Sequence, residues 1–175
     1  VFSYTVGATD STSDLTVTAL NANGGTLVDA AGNSLATFTA NPSGTLAIDT
    51  TAPTVSTVAI TSATGVQNSR LNAGDVVSVT VTMSESVNVT GTPTLALNVG
   101  GTSRTASYSS GTGTSALVFT YTIQSGDADA NGISIDANSL ALNGGTITNS
   151  GNNATLTHSA VAANASFLVD NTAPT

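Results

Sequence analysis

The sequence has no cysteine, no tryptophan and no lysine, and each absence excludes a class of structure or chemistry. Without cysteine, neither a disulfide framework nor a thiolate metal site can form. Without lysine, Schiff-base catalysis is excluded, and so are isopeptide bonds between lysine and asparagine. The lack of both cysteine and tryptophan excludes an antibody-type core, although many other β-sandwiches lack both residues.

Charge is also scarce, and most of it has one sign. Only 7% of the residues are charged, and Arg70 and Arg104 alone oppose ten carboxylates, which leaves a net charge of −8. This balance argues against nucleic acids and anionic membrane surfaces as partners and favours cations. No apolar run reaches the roughly 18 residues of a membrane span, so we expect no membrane insertion. A chain without cysteine or lysine but rich in Thr, Ser, Asn and Gly is typical of a secreted, extracellular or cell-surface bacterial protein.

A hexapeptide that occurs twice organises the sequence. Asp49-Thr-Thr-Ala-Pro-Thr54 returns as Asp170-Asn-Thr-Ala-Pro-Thr175, 121 residues later (170 − 49). An offset of this size indicates tandem domains, and the X-Pro step predicts an extended, stiff connector between them. We therefore predict the C-terminal half of one repeat (1–49), a connector (50–54), a complete repeat (55–170) and the start of the next connector (171–175).

Apolar and polar residues alternate in short runs, and no segment of ten residues shows the helical period. Val77 to Met83 is the clearest predicted strand, and Phe119, Tyr121 and Ile123 form another. Short strands with regular turn signals predict an all-β fold, an antiparallel immunoglobulin-like β-sandwich, with a β-barrel as the alternative. The residues expected in the core are Val79, Val81, Leu97, Phe119, Tyr121 and Ile135.

The first 49 residues repeat the pattern of the second half of the complete repeat. Phe2, Tyr4 and Val6 match the strand that begins at Phe119, and predicted strands follow at Leu15/Val17, Thr26–Val28, Ala36/Phe38 and Leu46/Ile48. The front strands of the repeat have no counterpart there. We therefore expect residues 1–49 not to fold alone but to pair with upstream sequence or with another chain.

One loop carries the pattern of a calcium site. Asp127, Asp129 and Asn131 place side-chain oxygens at alternate positions before Gly132, as in the first half of a D-x-[DN]-x-[DN]-G loop, and Asp136 lies close by in sequence. The twelfth position is Asn138 rather than a bidentate glutamate, so the loop is not an EF-hand. A turn rich in aspartate and asparagine, without metal, is the alternative.

The connectors are a second candidate metal site. Asp49 and Asp170 each end a predicted last strand, and Glu85, expected just after the strongest strand, would lie at one end of the same sandwich. Carboxylates gathered at a domain end repel one another unless a cation bridges them. For each of them, a solvated turn carboxylate is the alternative.

Catalysis has little support in the sequence. His158 is the one histidine, and no G-x-S-x-G nucleophile elbow accompanies it. We interpret it as a surface or structural histidine and expect a protein without enzymatic activity.

Several of these motifs together resemble a known family. F-x-Y-x-[VI], D-A-D-A-N-G-I-S-I, N-G-G-T-[IL], a G-N turn and the D-x-T-A-P-T connector are similar to the bacterial immunoglobulin-like repeats of giant repetitive surface proteins, among them RTX-type and biofilm-associated adhesins. The connector also resembles the calcium-binding linker of cadherins. This resemblance implies an extender, with many copies in series, stiffened by calcium near the junctions, that hold a binding domain away from the cell.

The function expected from the sequence is therefore that of a calcium-stiffened structural repeat of an adhesin, whose partners are neighbouring repeats or copies of the same chain. The alternative is a self-assembling subunit of an extracellular fibre or surface layer. In that subunit, strands of a neighbouring chain would complete the incomplete N-terminal half. An enzyme is the third and most distant possibility.

Overall fold

A computed structural model of the chain describes residues 2–35, 41 and 43–172. The chain divides into two compact units, Val1–Thr51 and Ala52–Thr175. Their described residues contain strands, bridges and turns but no helix, so the predicted all-β class is confirmed. Accordingly, no helix within the described ranges is long and apolar enough to cross a membrane.

All named strands lie in the second unit. In chain order they are β1 (Val55–Thr64), β2 (Arg70–Leu71), β3 (Val76–Thr90), β4 (Thr94–Val99), β5 (Thr102–Ser110), β6 (Thr114–Thr122), β7 (Ala128–Asp129), β8 (Leu140–Ala141), β9 (Thr146–Asn149), β10 (Asn152–Asn153) and β11 (Leu168–Asp170). The larger sheet has the order β10-β9-β3-β6-β5-β4-β8, with β1 on β3, and the smaller sheet has the order β2-β11-β7. The predicted antiparallel pairing holds for each named pair except β2 and β11, which are parallel.

Strand β3 is the centre of the larger sheet. Its first half pairs with β1 on one edge and β6 on the other, and its last residues pair with β9. Val77, Val79 and Val81 face inward, and the intervening residues face outward, as the alternation predicts. The strand continues to Thr90, so Glu85 lies within it, half-buried beside a register irregularity, and not after its end as predicted.

The core of the second unit lies under the inward face of the larger sheet. All six residues expected in the core are buried, with an exposed fraction of 8% or less. Phe119 on β6 is fully buried opposite Val79, and its ring makes an edge-to-face contact with the ring of Tyr108 at a centroid distance of 5.8 Å. Residues outside β3–β6 complete this core: Leu71, Ile123, Ile133, Leu140, Ile147 and Val169.

The described residues of the first unit do not form the strands that the sequence predicts for them. Its described residues form two isolated bridges, Thr12 with Ile48 and Val28 with Ser34. They form no ladder of more than one residue pair. None of them is buried, and Phe2 is 91% exposed. The reason is that a strand needs hydrogen-bonding neighbours: β6, to which Phe2 corresponds, lies between β3 and β5. The strand predicted at Ala36/Phe38 lies outside the described residues.

Replacing Phe119 with Ala should destabilise the second unit by about 3–5 kcal/mol, because it removes a fully buried aromatic side chain and leaves a cavity. Phe2→Ala is the matched control, since the same substitution at a side chain that is 91% exposed should cost less than about 0.5 kcal/mol. Urea unfolding followed by circular dichroism measures both. A loss below about 1 kcal/mol for Phe119→Ala would contradict the packing described here.

Candidate functional site

The loop predicted to bind calcium begins with a buried carboxylate that is surrounded by donors. The Asp127 side chain is almost completely buried. Its Oδ1 accepts from Nε of Arg104 at 2.7 Å and lies 2.6 Å from Nη2 of the same guanidinium. Its Oδ2 accepts from the Tyr121 hydroxyl at 2.6 Å and from the Gln124 amide at 2.9 Å. A carboxylate offers about four lone-pair sites, and here both oxygens are occupied by three hydrogen bonds and by the ion-pair contact with Arg104 Nη2.

These contacts shift the pKa values of Asp127 and Tyr121. Burial works to raise the pKa of Asp127, but the hydrogen bonds from Tyr121, Gln124 and Arg104 outweigh it and lower the pKa. Asp127 therefore contributes stability above the pKa of an unfolded aspartate, about 3.9, and this contribution is lost as the pH falls through the lower folded value. Burial, followed by the bond to Asp127, raises the pKa of Tyr121 to about 12.

The second carboxylate of the loop also accepts hydrogen bonds from the protein. Asp129 is buried, and its Oδ2 accepts from the Gly100 amide at 2.7 Å. Its Oδ1 accepts from the amides of Asn131 and Gly132, as in an Asx turn. Gly132 has a φ of 97°, and a Cβ there would lie 2.0 Å from the Asn164 carbonyl oxygen. The glycine is therefore required by a close backbone approach in this turn.

The residue after the last strand is bound to the same end of the unit. The Asn171 side-chain amide donates to the carbonyl oxygens of Asp127 at 2.8 Å and Gln124 at 3.0 Å, while its Oδ1 accepts from the Ala73 amide. Residue 171, predicted as the start of a connector, thus belongs to the fold of the second unit. We call Arg104, Tyr121, Asp127 and Asn171 the connector clamp, because they join the end of β11 to β5 and β6.

The first unit contains the same clamp without its arginine. The Tyr4 hydroxyl donates to Asp10 Oδ2 at 2.5 Å, and the Gly7 amide donates to the same oxygen at 2.6 Å. Tyr4 and Asp10 are six residues apart, as are Tyr121 and Asp127. The Thr50 hydroxyl donates to the Asp10 carbonyl oxygen at 2.9 Å and so takes the place of Asn171.

Further backbone hydrogen bonds recur between the units. The Leu15 amide donates to the Leu46 carbonyl at 2.8 Å, as the Ile133 amide does to the Phe167 carbonyl at 3.1 Å. The antiparallel bridge of Thr12 with Ile48 corresponds to that of Asp129 with Val169. The described residues Thr12, Leu15, Leu46 and Ile48 thus repeat hydrogen bonds that are found in the second half of the second unit.

The connector aspartates also cap their own turns. Asp170 Oδ1 accepts from the Thr172 amide and Asp49 Oδ1 from the Thr51 amide, each at 3.0 Å. Asp170 Oδ2 lies 3.4 Å from Nη1 of Arg70 in an exposed ion pair. The hydrogen bond from Thr172, with a smaller contribution from Arg70, lowers the pKa of Asp170.

The remaining predicted ligands do not converge on the clamp. Asn131 and Asp136 are exposed, and Glu85 is half-buried within β3. Within residues 2–35, 41 and 43–172, no three His, Cys, Asp or Glu side chains are grouped closely enough to hold a metal ion. A calcium ion at Asp127 would have to displace the donors that already occupy both carboxylate oxygens.

The ring nitrogens of His158 contact backbone groups of neighbouring segments. Its Nε2 accepts from the Ser139 amide at 2.9 Å and from the Leu140 amide at 3.3 Å, and its Nδ1 lies 2.9 Å from the Ser159 carbonyl oxygen. The Ser139 hydroxyl is 3.5 Å from Nε2, whose lone pair already receives the backbone amides. A general base needs a lone pair directed at the nucleophile and a partner that orients the ring; here that lone pair is occupied, and the partner of Nδ1 is a backbone carbonyl.

Comparisons with family models, with curated proteins and with solved structures find no match to this chain.

Sequence reasoning missed Arg104, Tyr121, Thr50 and Asn171 as members of the site. One signal was present: a tyrosine precedes an aspartate by six residues in both halves of the sequence. The contact with Arg104 left no such signal, because the arginine comes from a different strand, 23 residues before Asp127.

Tyr121→Phe should lower the stability of the second unit by about 1.5–3 kcal/mol, because it removes a hydrogen bond to a charged, buried partner. Folding raises the pKa of Tyr121 to about 12, so the native protein should lose this contribution as the pH rises from about 10 to about 12. Thermal unfolding across this range measures the effect, and the Phe variant should lack that part of the alkaline loss. Tyr108→Phe is the control, since the Tyr108 hydroxyl accepts a hydrogen bond from an amide instead of donating one to a carboxylate.

Proposed function

We propose that this chain is a non-enzymatic structural repeat that extends a secreted or cell-surface protein. One observation carries the proposal: in both units a tyrosine–aspartate pair lies beside a side chain from the connector, Thr50 or Asn171, that donates to the aspartate's carbonyl oxygen. A segment tied in this way leaves its domain at a fixed point. When the chain leaves a repeat at a fixed point, the orientation of the next repeat is constrained. An extender requires this constraint.

The fold supports the same function. Two packed sheets of short, mostly antiparallel strands are the architecture of immunoglobulin-like sandwiches, and we assign the complete repeat to that type. The composition, with neither cysteine nor lysine and a net charge of −8, supports a place outside the cell. The role as an extender of an adhesin follows from the similarity of the motifs to adhesin repeats.

Calcium is the second part of the proposal, and the connector aspartates are its best-supported ligands. Asp127 and Asp129 already accept hydrogen bonds from buried donors. The Asp170 side chain, in contrast, is 40% exposed, and it contacts the Thr172 amide at 3.0 Å and Arg70 at 3.4 Å. We therefore place calcium at the aspartates that open the connectors, Asp170 and Asp49, with hard oxygen ligands as the ion prefers.

A second candidate function is a self-assembling subunit of a fibre or surface layer. The observation that favours it is the exposure of apolar side chains in the first unit, among them Phe2 at 91% and Tyr4 at 66%. Surfaces of this kind mark sites of association with another polypeptide.

The stiffness of the connector can be measured with a pair of spin labels. Because the sequence has no cysteine, Ser13→Cys and Ser110→Cys, one exposed position in each unit, give one label each. We expect a narrow distance distribution in the full chain and a broader one in Thr50→Ala, which removes the hydroxyl that donates to Asp10.

Thr51→Ala is the matched control, since it makes the same chemical change one residue later and keeps the amide that donates to Asp49. Its distribution should match that of the native chain. A broad distribution in the native chain would contradict the function as an extender.

Calcium should raise the melting temperature of the native chain, since a ligand at 100 times its Kd that binds only the folded state stabilises it by about 2.7 kcal/mol. Calorimetry in calcium and in EDTA measures the difference. The difference in melting temperature between calcium and EDTA should disappear in the double variant Asp49→Asn/Asp170→Asn. It should persist in Asp127→Asn, which is expected to be less stable in both buffers.

Equal melting of the native chain in calcium and in EDTA would exclude the calcium part and leave the structural repeat. A calcium effect that disappears in Asp136→Asn, and not in the connector variant, would return the site to the loop at 127–136.

A further inference from the structure

The dipeptide Asn-Gly occurs three times in the sequence, at Asn23, Asn131 and Asn143. It is the dipeptide in which asparagine is most easily deamidated, because glycine has no Cβ to shield its backbone nitrogen. When the peptide group between the two residues rotates, that nitrogen can attack the side-chain carbonyl carbon of the asparagine. The contacts that hold each peptide group therefore decide which of the three copies reacts.

Two of the copies lie in turns of the same kind, at residues 22–25 and 142–145. In both turns the asparagine has a φ of 48°, and the glycine after it has a φ of 86° in the first turn and 77° in the second. Positive φ at both central positions defines the type I′ turn, which favours Asn-Gly. Each turn is closed by a backbone hydrogen bond of 2.8 Å from its last residue to its first. The local geometry is thus shared, and only the surroundings differ.

The turn at 142–145 is held by a neighbouring segment. The Asn143 side-chain amide donates to the Thr92 carbonyl oxygen at 3.2 Å. A Cβ on Gly145 would collide with the carbonyl oxygen of Thr90, so this turn packs closely against the end of β3. The hydrogen bond to Thr92 has to break before the side chain of Asn143 can turn toward the Gly144 nitrogen.

The copy at Asn131 is held through its glycine. The Gly132 amide, which would be the nucleophile, donates to the buried carboxylate of Asp129 at 2.8 Å. A Cβ on Gly132 would collide with the Asn164 carbonyl oxygen, which shows that another segment packs against this backbone. The nucleophilic nitrogen is therefore occupied and cannot rotate freely.

The turn at 22–25 has neither restraint. Within the described part of the chain, no hydrogen bond reaches the Asn23 side chain, and both Asn23 and Gly24 are exposed. The nearest atom to a Cβ on Gly25 would be the Ala22 carbonyl oxygen of the same turn, at 3.1 Å. Exposed loops with so few contacts open with free energies near zero. The peptide group between Asn23 and Gly24 can therefore rotate.

We propose that Asn23 is a site of spontaneous deamidation and isomerisation, with water as the co-reactant. The Gly24 nitrogen forms a bond to Cγ of Asn23, the Cγ–Nδ2 bond breaks, and ammonia leaves with the proton of the glycine amide. Water then opens the five-membered succinimide at either of its carbonyl groups, which gives aspartate or isoaspartate. No group is oxidised or reduced.

The modification changes both the turn and the charge. Isoaspartate carries the main chain through Cβ, so the turn at 22–25 gains one methylene group and loses the hydrogen bond between the Gly25 amide and the Ala22 carbonyl. Either product adds one negative charge to a chain whose net charge is −8. The site does not depend on the proposed function.

The test follows all three copies in one sample of the full chain. The protein is incubated at mildly alkaline pH in water labelled with heavy oxygen, so that each new carboxyl group carries the label. Trypsin cleaves after the two basic residues, Arg70 and Arg104, which places Asn23 in the fragment 1–70 and the other two copies in the fragment 105–175. Mass spectrometry with fragmentation then locates the label and separates isoaspartate from aspartate.

The same incubation in urea gives the rate of each copy without its surroundings, and there the three rates should be similar. In the native chain Asn23 should react at close to its rate in urea. Asn143 should be slower than in urea by roughly threefold to tenfold, since one hydrogen bond must break first. Asn131 should be slower by roughly tenfold or more, because the Gly132 amide is bonded to a charged acceptor.

Asn23→Gln is the matched control. Glutamine keeps the amide group but adds one methylene, so the same attack would have to close a less favourable six-membered ring. Isoaspartate should then disappear from position 23, while the rates at Asn131 and Asn143 stay unchanged.

Three results would overturn the inference. The first is a native chain in which Asn23 stays intact while the chain in urea reacts. The second is native Asn143 or Asn131 reacting as fast as Asn23. The third is labelled aspartate at position 23 without isoaspartate, since direct hydrolysis of the side chain would give that product and no succinimide.

Discussion

The carboxylate of Asp127 joins parts of the second unit that are far apart in sequence. The carboxylate binds Tyr121 on β6 and Arg104 on β5. The backbone carbonyl of the same residue accepts a hydrogen bond from Asn171, just after β11. A buried carboxylate is costly unless it is paired and hydrogen-bonded, and Asp127 has an ion pair with Arg104 and three hydrogen bonds. No buried side-chain nitrogen or oxygen among the described residues lacks a partner. Asp127 therefore contacts β5, β6 and the residue that follows β11.

The same group explains why two interpretations of the loop compete. Aspartates at alternate positions before a glycine suit a calcium ion, and they equally suit a turn in which backbone amides and a guanidinium supply the positive charge. Arg104 is one of only two basic residues in the chain. Because Arg104 lies beside Asp127, the positive charge at this one carboxylate comes from the protein itself.

The two units show how much of a β-fold depends on partners. Phe2 and Phe119 begin similar sequences, yet only Phe119 lies in a strand and in a core. Local hydrogen bonds, such as the one from Tyr4 to Asp10, form in both units because their partners are close in sequence. Among the described residues, strand ladders and buried side chains occur only in the second unit, which contains β3 and β5, because each strand of a sheet is stabilised by its neighbours.

Composition and alternation alone determined the all-β class, the inward face of β3 and the six core residues, because a side-chain period of two fixes which residues share a face. The repeated hexapeptide predicts a connector at each of its two copies, and this division stays a prediction. Only the tertiary structure brought Arg104 to Asp127 and Asn171 to the same end, extended β3 past Glu85 and made β2 parallel to β11. These features depend on contacts between distant strands. No local sequence pattern predicts such contacts, since the residues of one strand do not specify which distant strand will lie beside it.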